Sequence, residues 1–169
     1  HHCEAHVPKV AEAALQVAYL DNEELDLNHY RREFENLAED ARLSLEEHRD
    51  EAKEKRNDAS HLSHFLFQES GFHGNRSQYY RHENSYIDYV LDDRTGLPIT
   101  LSVVFIELAR RLEIERVRGV PLPGHFLVGQ YSDLEKSDID LLVDVFEQGR
   151  ILSKDEAKDL ALRTTGMQV

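Results

Sequence analysis

His125 and Asp144 are placed in this sequence as an acid–base pair would need them. His125 lies in Pro121-Leu122-Pro123-Gly124-His125-Phe126-Leu127-Val128, at the start of a predicted strand just after a tight turn. Asp144 lies inside the apolar run Leu141-Leu142-Val143-Asp144-Val145-Phe146, where a charged side chain needs a reason. Upstream, Arg94-Thr95-Gly96 breaks one predicted helix and Pro98 opens another. A helix N-terminus facing a strand with histidine, followed by a strand with aspartate, is the layout of thiol hydrolases and acyltransferases. There the helix terminus lowers a cysteine's pKa, the imidazole takes the thiol proton and the carboxylate orients the imidazole. From Arg94 to Phe146 the layout is present and the cysteine is not, since the single cysteine, Cys3, stands far upstream.

Pro98 suits a first helical turn, because the N–H it lacks would be unpaired there, but it offers no nucleophile. Hydroxyls remain nearby on Thr95, Thr100 and Ser102. Ser102 or Thr100, with His125 as base and Asp144 as orienter, would make a hydrolase or acyltransferase, provided a well-placed base and an oxyanion hole support the alkoxide. The structural alternative gives Thr95 to the turn, Thr100 to the free N–H groups of the helix start and Ser102 to close packing. His125 and Asp144 then form a vestigial dyad in which the carboxylate satisfies the imidazole, or a half-site that still binds something.

Arg94 is a binding candidate for a ligand carboxylate, or else a partner of Asp92 or Asp144. Tyr86, with Tyr79 and Tyr80, either lines a groove over His125 or fills core and staple positions at a helix entry. His61 and His64 share a helical face, with His73 nearby in sequence. No third ligand is fixed in space, so they read as surface histidines, and no metal or other cofactor is expected.

The elements that must position these residues fall into two halves. From Pro8, Val10, Ala13, Ala14, Val17 and Ala18 mark one face of a short helix. Asn28 is the expected N-cap of a second, whose inner face carries Tyr30, Phe34, Leu37, Ala41 and Leu45. The charged segment Glu46 to Asn57 either prolongs that helix as a solvated arm or links to the next. A third helix, with Leu62, Phe65 and Leu66 inward, stops near Gly71. Asn84 is the expected cap of a helix carrying Ile87, Val90 and Leu91, and the strongly apolar helix from Pro98 to about Leu112 should be central and buried on several sides. Three strands, Arg116 to Val120, His125 to Tyr131 and Ile139 to Phe146, suggest an antiparallel sheet packed on it. Ser153 and Glu156 form a capping box for a terminal helix that Gly166 ends.

Five motifs in order make the chain similar to a known family: Phe67-Gln68-Glu69-Ser70-Gly71-Phe72-His73-Gly74-Asn75, Asn84-Ser85-Tyr86, Arg94-Thr95-Gly96-Leu97-Pro98-Ile99-Thr100-Leu101-Ser102, Glu107-Leu108-Ala109-Arg110-Arg111-Leu112 and Pro123-Gly124-His125-Phe126-Leu127-Val128. Together they resemble the SirB family of transglutaminase-like proteins, over roughly Val7 to Leu162. The resemblance implies an α+β fold, a papain- and transglutaminase-like core with a central helix packed on a small antiparallel sheet and an N-terminal helical part. Active members of the superfamily carry Gly-x-Cys at the start of the central helix, Gly-His with an apolar strand, and Asp-Pro or a similar pair on the next strand. Gly96, His125 and Asp144 match the glycine, histidine and aspartate, whereas Pro98 stands at the cysteine and Val145 at the proline. Longer relatives continue into a tetratricopeptide-like helical region, and the resemblance leaves open whether this is a short member or a domain of a longer protein.

The chain has 169 residues, enough for one cooperative unit. The expected division is a tag or disordered terminus over 1–6, where His1 and His2 are tag or native residues, a helical part over 7–75 and the core over 76–169. With 33 acidic against 20 basic residues the net charge is −13, which argues against nucleic acid and anionic membrane surfaces as partners. No run is long and apolar enough for a bilayer span, no secretion signal is recognisable, and a lone cysteine makes no internal disulfide, so a cytoplasmic location is expected. The residues therefore favour a non-catalytic domain that binds a protein or peptide in a regulatory role, ahead of a serine or threonine hydrolase or acyltransferase or a purely structural domain; the oligomeric state is open.

Overall fold

The computed structural model describes residues 9–49, 57–133, 135 and 138–166. The expectations for residues 1–6, Cys3 and Pro8, and for positions 50–56 of the charged arm, lie outside the described residues. The first helix, α1 (Val10–Asp21), buries Ala11, Leu15 and Ala18. Val17, expected inward, is 54% exposed, because the stripe that includes Leu15 removes more apolar area from water than the valine–alanine stripe does. In α2 (Leu27–Arg49) Tyr30, Phe34, Leu37, Ala41 and Leu45 are buried, as their spacing predicts. Its cap is Asp26 rather than Asn28, with the Asp26 carboxylate accepting the His29 N–H at 3.2 Å. The helix enters the charged segment as far as Arg49, and at the other end of that segment Asn57 caps α3 (Asp58–His64), accepting from Ala59 N–H at 2.8 Å.

A π-helical turn, Phe65–Glu69, prolongs α3. Strand β1 (His73–Gly74) then pairs in parallel with β2 (Thr95–Gly96), a contact the hydrophobic pattern does not announce. Between them stand a 3-10 turn, His82–Ser85, and α4 (Ile87–Asp93). Asn84 does not cap α4 as expected; it is buried in the 3-10 turn, three residues before the helix begins. The central helix, α5 (Pro98–Arg111), holds Leu101, Val104, Phe105 and Leu108 at 1% exposure or less. One core cluster joins α5 to side chains running from Ala11 to Val145.

The main sheet has four antiparallel strands in sequence order, β3 (Val117–Leu122), β4 (His125–Tyr131), β5 (Ile139–Asp144) and β6 (Arg150–Leu152). Only three strands were expected. The third ends at Asp144, not Phe146, and the chain turns back to make the fourth. The first runs on to Leu122; Pro121 is tolerated because β3 is an edge strand with no further neighbour to pair with. Pro123 and Gly124, the latter at φ 69°, form the two-residue connection to β4. Last comes α6 (Lys154–Thr165), with the predicted capping box: Ser153 Oγ accepts from Glu156 N–H at 3.1 Å, and Gly166 ends the helix at φ 70°. The result is the α+β architecture expected, with helices α1 to α5 on one face of the sheet. Val128 and Val143 face those helices, while Leu127, Leu142 and Leu152 meet Ala157 and Leu160 of α6 on the other.

Candidate functional site

Pro98 opens α5 at its first position, half-buried, where no side chain caps the helix from outside. The two candidate nucleophile hydroxyls of α5, Thr100 and Ser102, are already engaged. Thr100 Oγ1 accepts the Leu97 N–H at 3.0 Å and donates to the Asn84 carbonyl at 3.0 Å, so it satisfies a free N–H of the helix start and ties α5 to the 3-10 turn. Ser102 is 1% exposed and its hydroxyl donates to the Pro98 carbonyl at 2.6 Å. Gly96 allows this close assembly, since a Cβ there would stand 2.8 Å from Thr100 Oγ1.

His125 and Asp144 belong to the other side of the sheet. Strand alternation gives His125 the face of Leu127, and Asp144 the face of Leu142, both of which meet α6. His125 Nε2 pairs with Thr164 Oγ1 of α6 at 3.0 Å. Asp144 Oδ1 accepts the N–H groups of Phe146 at 3.1 Å and Glu147 at 3.2 Å, capping the turn into β6. The expected hydrogen-bonded dyad is therefore corrected. The imidazole is satisfied by a threonine and the carboxylate by backbone, although the two lie near enough for His125 to favour the Asp144 anion. The sequence offered no sign of Thr164, which reaches His125 from 39 residues away.

Burial pushes the Asp144 carboxyl above its ordinary range, against the opposing pull of the Phe146 N–H and of His125, Arg150 and Arg76. A raised folded-state pKa means that this group's contribution is fully present below the unfolded value of about 3.9 and is lost as pH rises through the folded one. Asp144→Asn keeps an oxygen acceptor for the turn and has no charge to desolvate. Its stability relative to the parent should accordingly rise between acid and neutral pH in denaturant titrations, and a fall over that window would contradict the burial argument.

The remaining candidates separate. Arg94, left-handed at φ 54°, donates to the Ser70 carbonyl at 2.6 Å and lies over the Phe72 ring, so it pairs with neither Asp92 nor Asp144. Tyr86 donates to Asp21 at 3.2 Å and stands edge-on to the His82 ring. Tyr79 stands edge-on to Phe146, with ring centroids 5.8 Å apart, and Tyr80, 96% exposed, is edge-on to Tyr79. Arg76 covers the same Phe146 ring and pairs with Glu147. These four residues make an aromatic edge beside the β5–β6 turn. Thr95 is half-buried within β2. His61 is not a surface histidine: it is 5% exposed and meets His48 and Glu69 rather than His73, whose Nδ1 lies 3.2 Å from the Gly74 carbonyl.

A family model described as the transglutaminase-like superfamily matches residues 28–169, from the second helix through the sheet and α6. The chain belongs to the transglutaminase-like superfamily. Among curated relatives, this transglutaminase-like chain is 43% identical over 100 residues to a UPF0162 protein of Xylella fastidiosa strain Temecula1, a match covering 59% of the chain and 34% of that protein. A UPF0162 protein of Pseudomonas aeruginosa is 30% identical over 159 residues, covering 94% of the chain and 54% of the relative. Human F-box only protein 21 is 32% identical over 103 residues, 59% of the chain but 16% of that protein. The matched part thus spans about a third of the length of the Xylella fastidiosa relatives. No solved structure matches. Among the described residues no helix is long and apolar enough to cross a membrane.

Proposed function

We propose that this transglutaminase-like domain is non-catalytic and acts in the cytoplasm as a protein- or peptide-binding module with a regulatory role, its nearer kin being the SirB proteins. The observation that carries the reading is the split of the hydrolase layout. The head of α5 offers proline and two hydroxyls spent on hydrogen bonds, while His125 faces α6 and pairs with Thr164. A nucleophile and its base must come within hydrogen-bond reach of each other, and here they are assigned to opposite faces of the sheet. The aromatic edge of Tyr79, Tyr80 and Phe146 supports the binding part of the proposal, because exposed tyrosines give large contact area at small entropic cost. Alignment with a small part of a much longer F-box only protein fits a module used within larger chains.

The test uses the purified chain, Pro98→Cys, and Pro98→Cys with Thr164→Val, incubated with amine donors, glutamine peptides and ester and amide substrates. No turnover dependent on His125 is expected from the parent or from Pro98→Cys. Turnover by the parent that disappears in His125→Ala would overturn the non-catalytic reading. For binding, selection from a displayed peptide library should yield sequences whose affinity drops about tenfold or more in Tyr80→Ala, a change of at least 1.4 kcal/mol. Equal binding by that variant would remove the aromatic edge from the proposal.

A further inference from the structure

Away from that edge, a cluster of imidazoles and a carboxylate has no role in anything described so far. His48 on α2, His61 on α3 and Glu69 at the end of the π turn bring one ligand atom each within 4.8 Å of one another. The His48 and His61 rings are 4.5 Å apart, and His64 Nε2 lies 3.8 Å from Glu69 Oε1 on the outer side.

The backbone explains how Glu69 arrives there. In an uninterrupted α-helix Glu69 would stand roughly 80° round the axis from His61, eight residues earlier. The π turn, marked by the Ser70 N–H donating to the Phe65 carbonyl at 2.8 Å, is wider and takes back most of that rotation. Single-turn π segments are frequent at functional sites.

Ser44 orients all three donors. Its carbonyl lies 2.8 Å from His48 Nδ1, which requires the proton on that nitrogen and leaves the Nε2 lone pair for a ligand. Its hydroxyl donates to Glu69 Oε2 at 2.8 Å and stands 3.2 Å from His61 Nε2. Two imidazoles, one of them fixed through its second nitrogen by a backbone carbonyl, with a carboxylate alongside, form a donor set that suits zinc and neighbouring divalent transition metals.

We infer that His48, His61 and Glu69 form a binding site for a divalent transition-metal ion of the zinc class. An arriving ion replaces the Ser44 hydroxyl as the group that His61 and Glu69 share, His61 taking the tautomer that leaves Nε2 unprotonated, and water completes the shell. It joins α2 to α3, the two helices on either side of the charged segment.

The test is zinc and cobalt(II) titration of the full chain with His1, His2, Cys3 and His6 replaced by serine, so that terminal donors do not compete. One equivalent is expected, with visible cobalt absorption bands of a low-coordinate site. His48→Ala and Glu69→Gln, both at positions that are not fully buried, should each weaken binding roughly tenfold or more, with helicity by circular dichroism confirming that the variants fold. The inference is overturned if the parent takes up no more zinc than the folded double variant His48→Ala/Glu69→Gln.

Discussion

Truncating Phe105 to alanine is expected to remove about 3–5 kcal/mol of stability, the usual range for deleting a buried aromatic side chain. Phe105 is fully buried at the middle of α5, within the core cluster that also holds Phe34 and Leu15 on the helical side and Val128 and Val143 on the sheet side. Because that cluster draws on both helices and sheet, no single element can move to close the cavity. Against a total of about 5–15 kcal/mol for a domain, the loss would leave little margin. Urea denaturation followed by circular dichroism measures it. Ile99→Ala, at a 59% exposed position in the first turn of the same helix, is the control and should change stability by no more than about 0.5 kcal/mol. We propose that the helical part and the sheet unfold together, so amide exchange in α1 and β4 should accelerate alike in Phe105→Ala. A cost below about 1 kcal/mol would mean that α5 is not the centre of the core.

What the sequence made legible follows from where its signals are periodic. The faces of α2 and α5, β4 and the α6 capping box rest on repeated apolar spacing or on one local hydrogen-bond pattern, and such signals survive without tertiary information. The face of α1 was misread because two overlapping stripes of small residues compete, and only the docking partner selects the one with Leu15. β6 is three residues long and β1 and β2 two each, too short for alternation to register. For the candidate site, the sequence singled out His125, Asp144 and Pro98 but not their orientation. That required the β4 register, which turns His125 to α6, and Thr164, which no spacing links to it. His48 was hidden in the charged run, and the π turn that aims Glu69 has no signature in residue types. Asn84 was recognised as a capping residue type, yet whether it caps a helix or a loop depends on which N–H and C=O groups the fold brings to it.

Asn84→Ala is expected to cost about 2–3 kcal/mol, the upper part of the range of about 1–3 kcal/mol for leaving a buried polar partner unmet, because several partners lose their bond at once. The Asn84 side chain is 4% exposed and every polar atom is used. Its Nδ2 donates to the Gln78 carbonyl at 2.7 Å and the Tyr79 carbonyl at 3.1 Å, and its Oδ1 accepts from Asn75 Nδ2 at 2.9 Å. Its own carbonyl takes the Thr100 hydroxyl, so one residue fixes the Tyr79–Tyr80 segment to the head of α5. Asn84→Asp should cost at least as much, because a carboxylate oxygen would face two carbonyl oxygens where an NH₂ group now donates. Thermal and urea denaturation give the magnitudes. The variants also separate folding from function, since Tyr80 is almost wholly exposed and adds little to stability, whereas its position depends on Asn84. If the aromatic edge binds a peptide, folded Asn84→Ala should lose affinity while Tyr80→Phe retains it. An Asn84→Ala protein with parental stability would show that the loop is held by its other contacts, and the head of α5 would then owe its geometry to Gly96 and Thr100 alone.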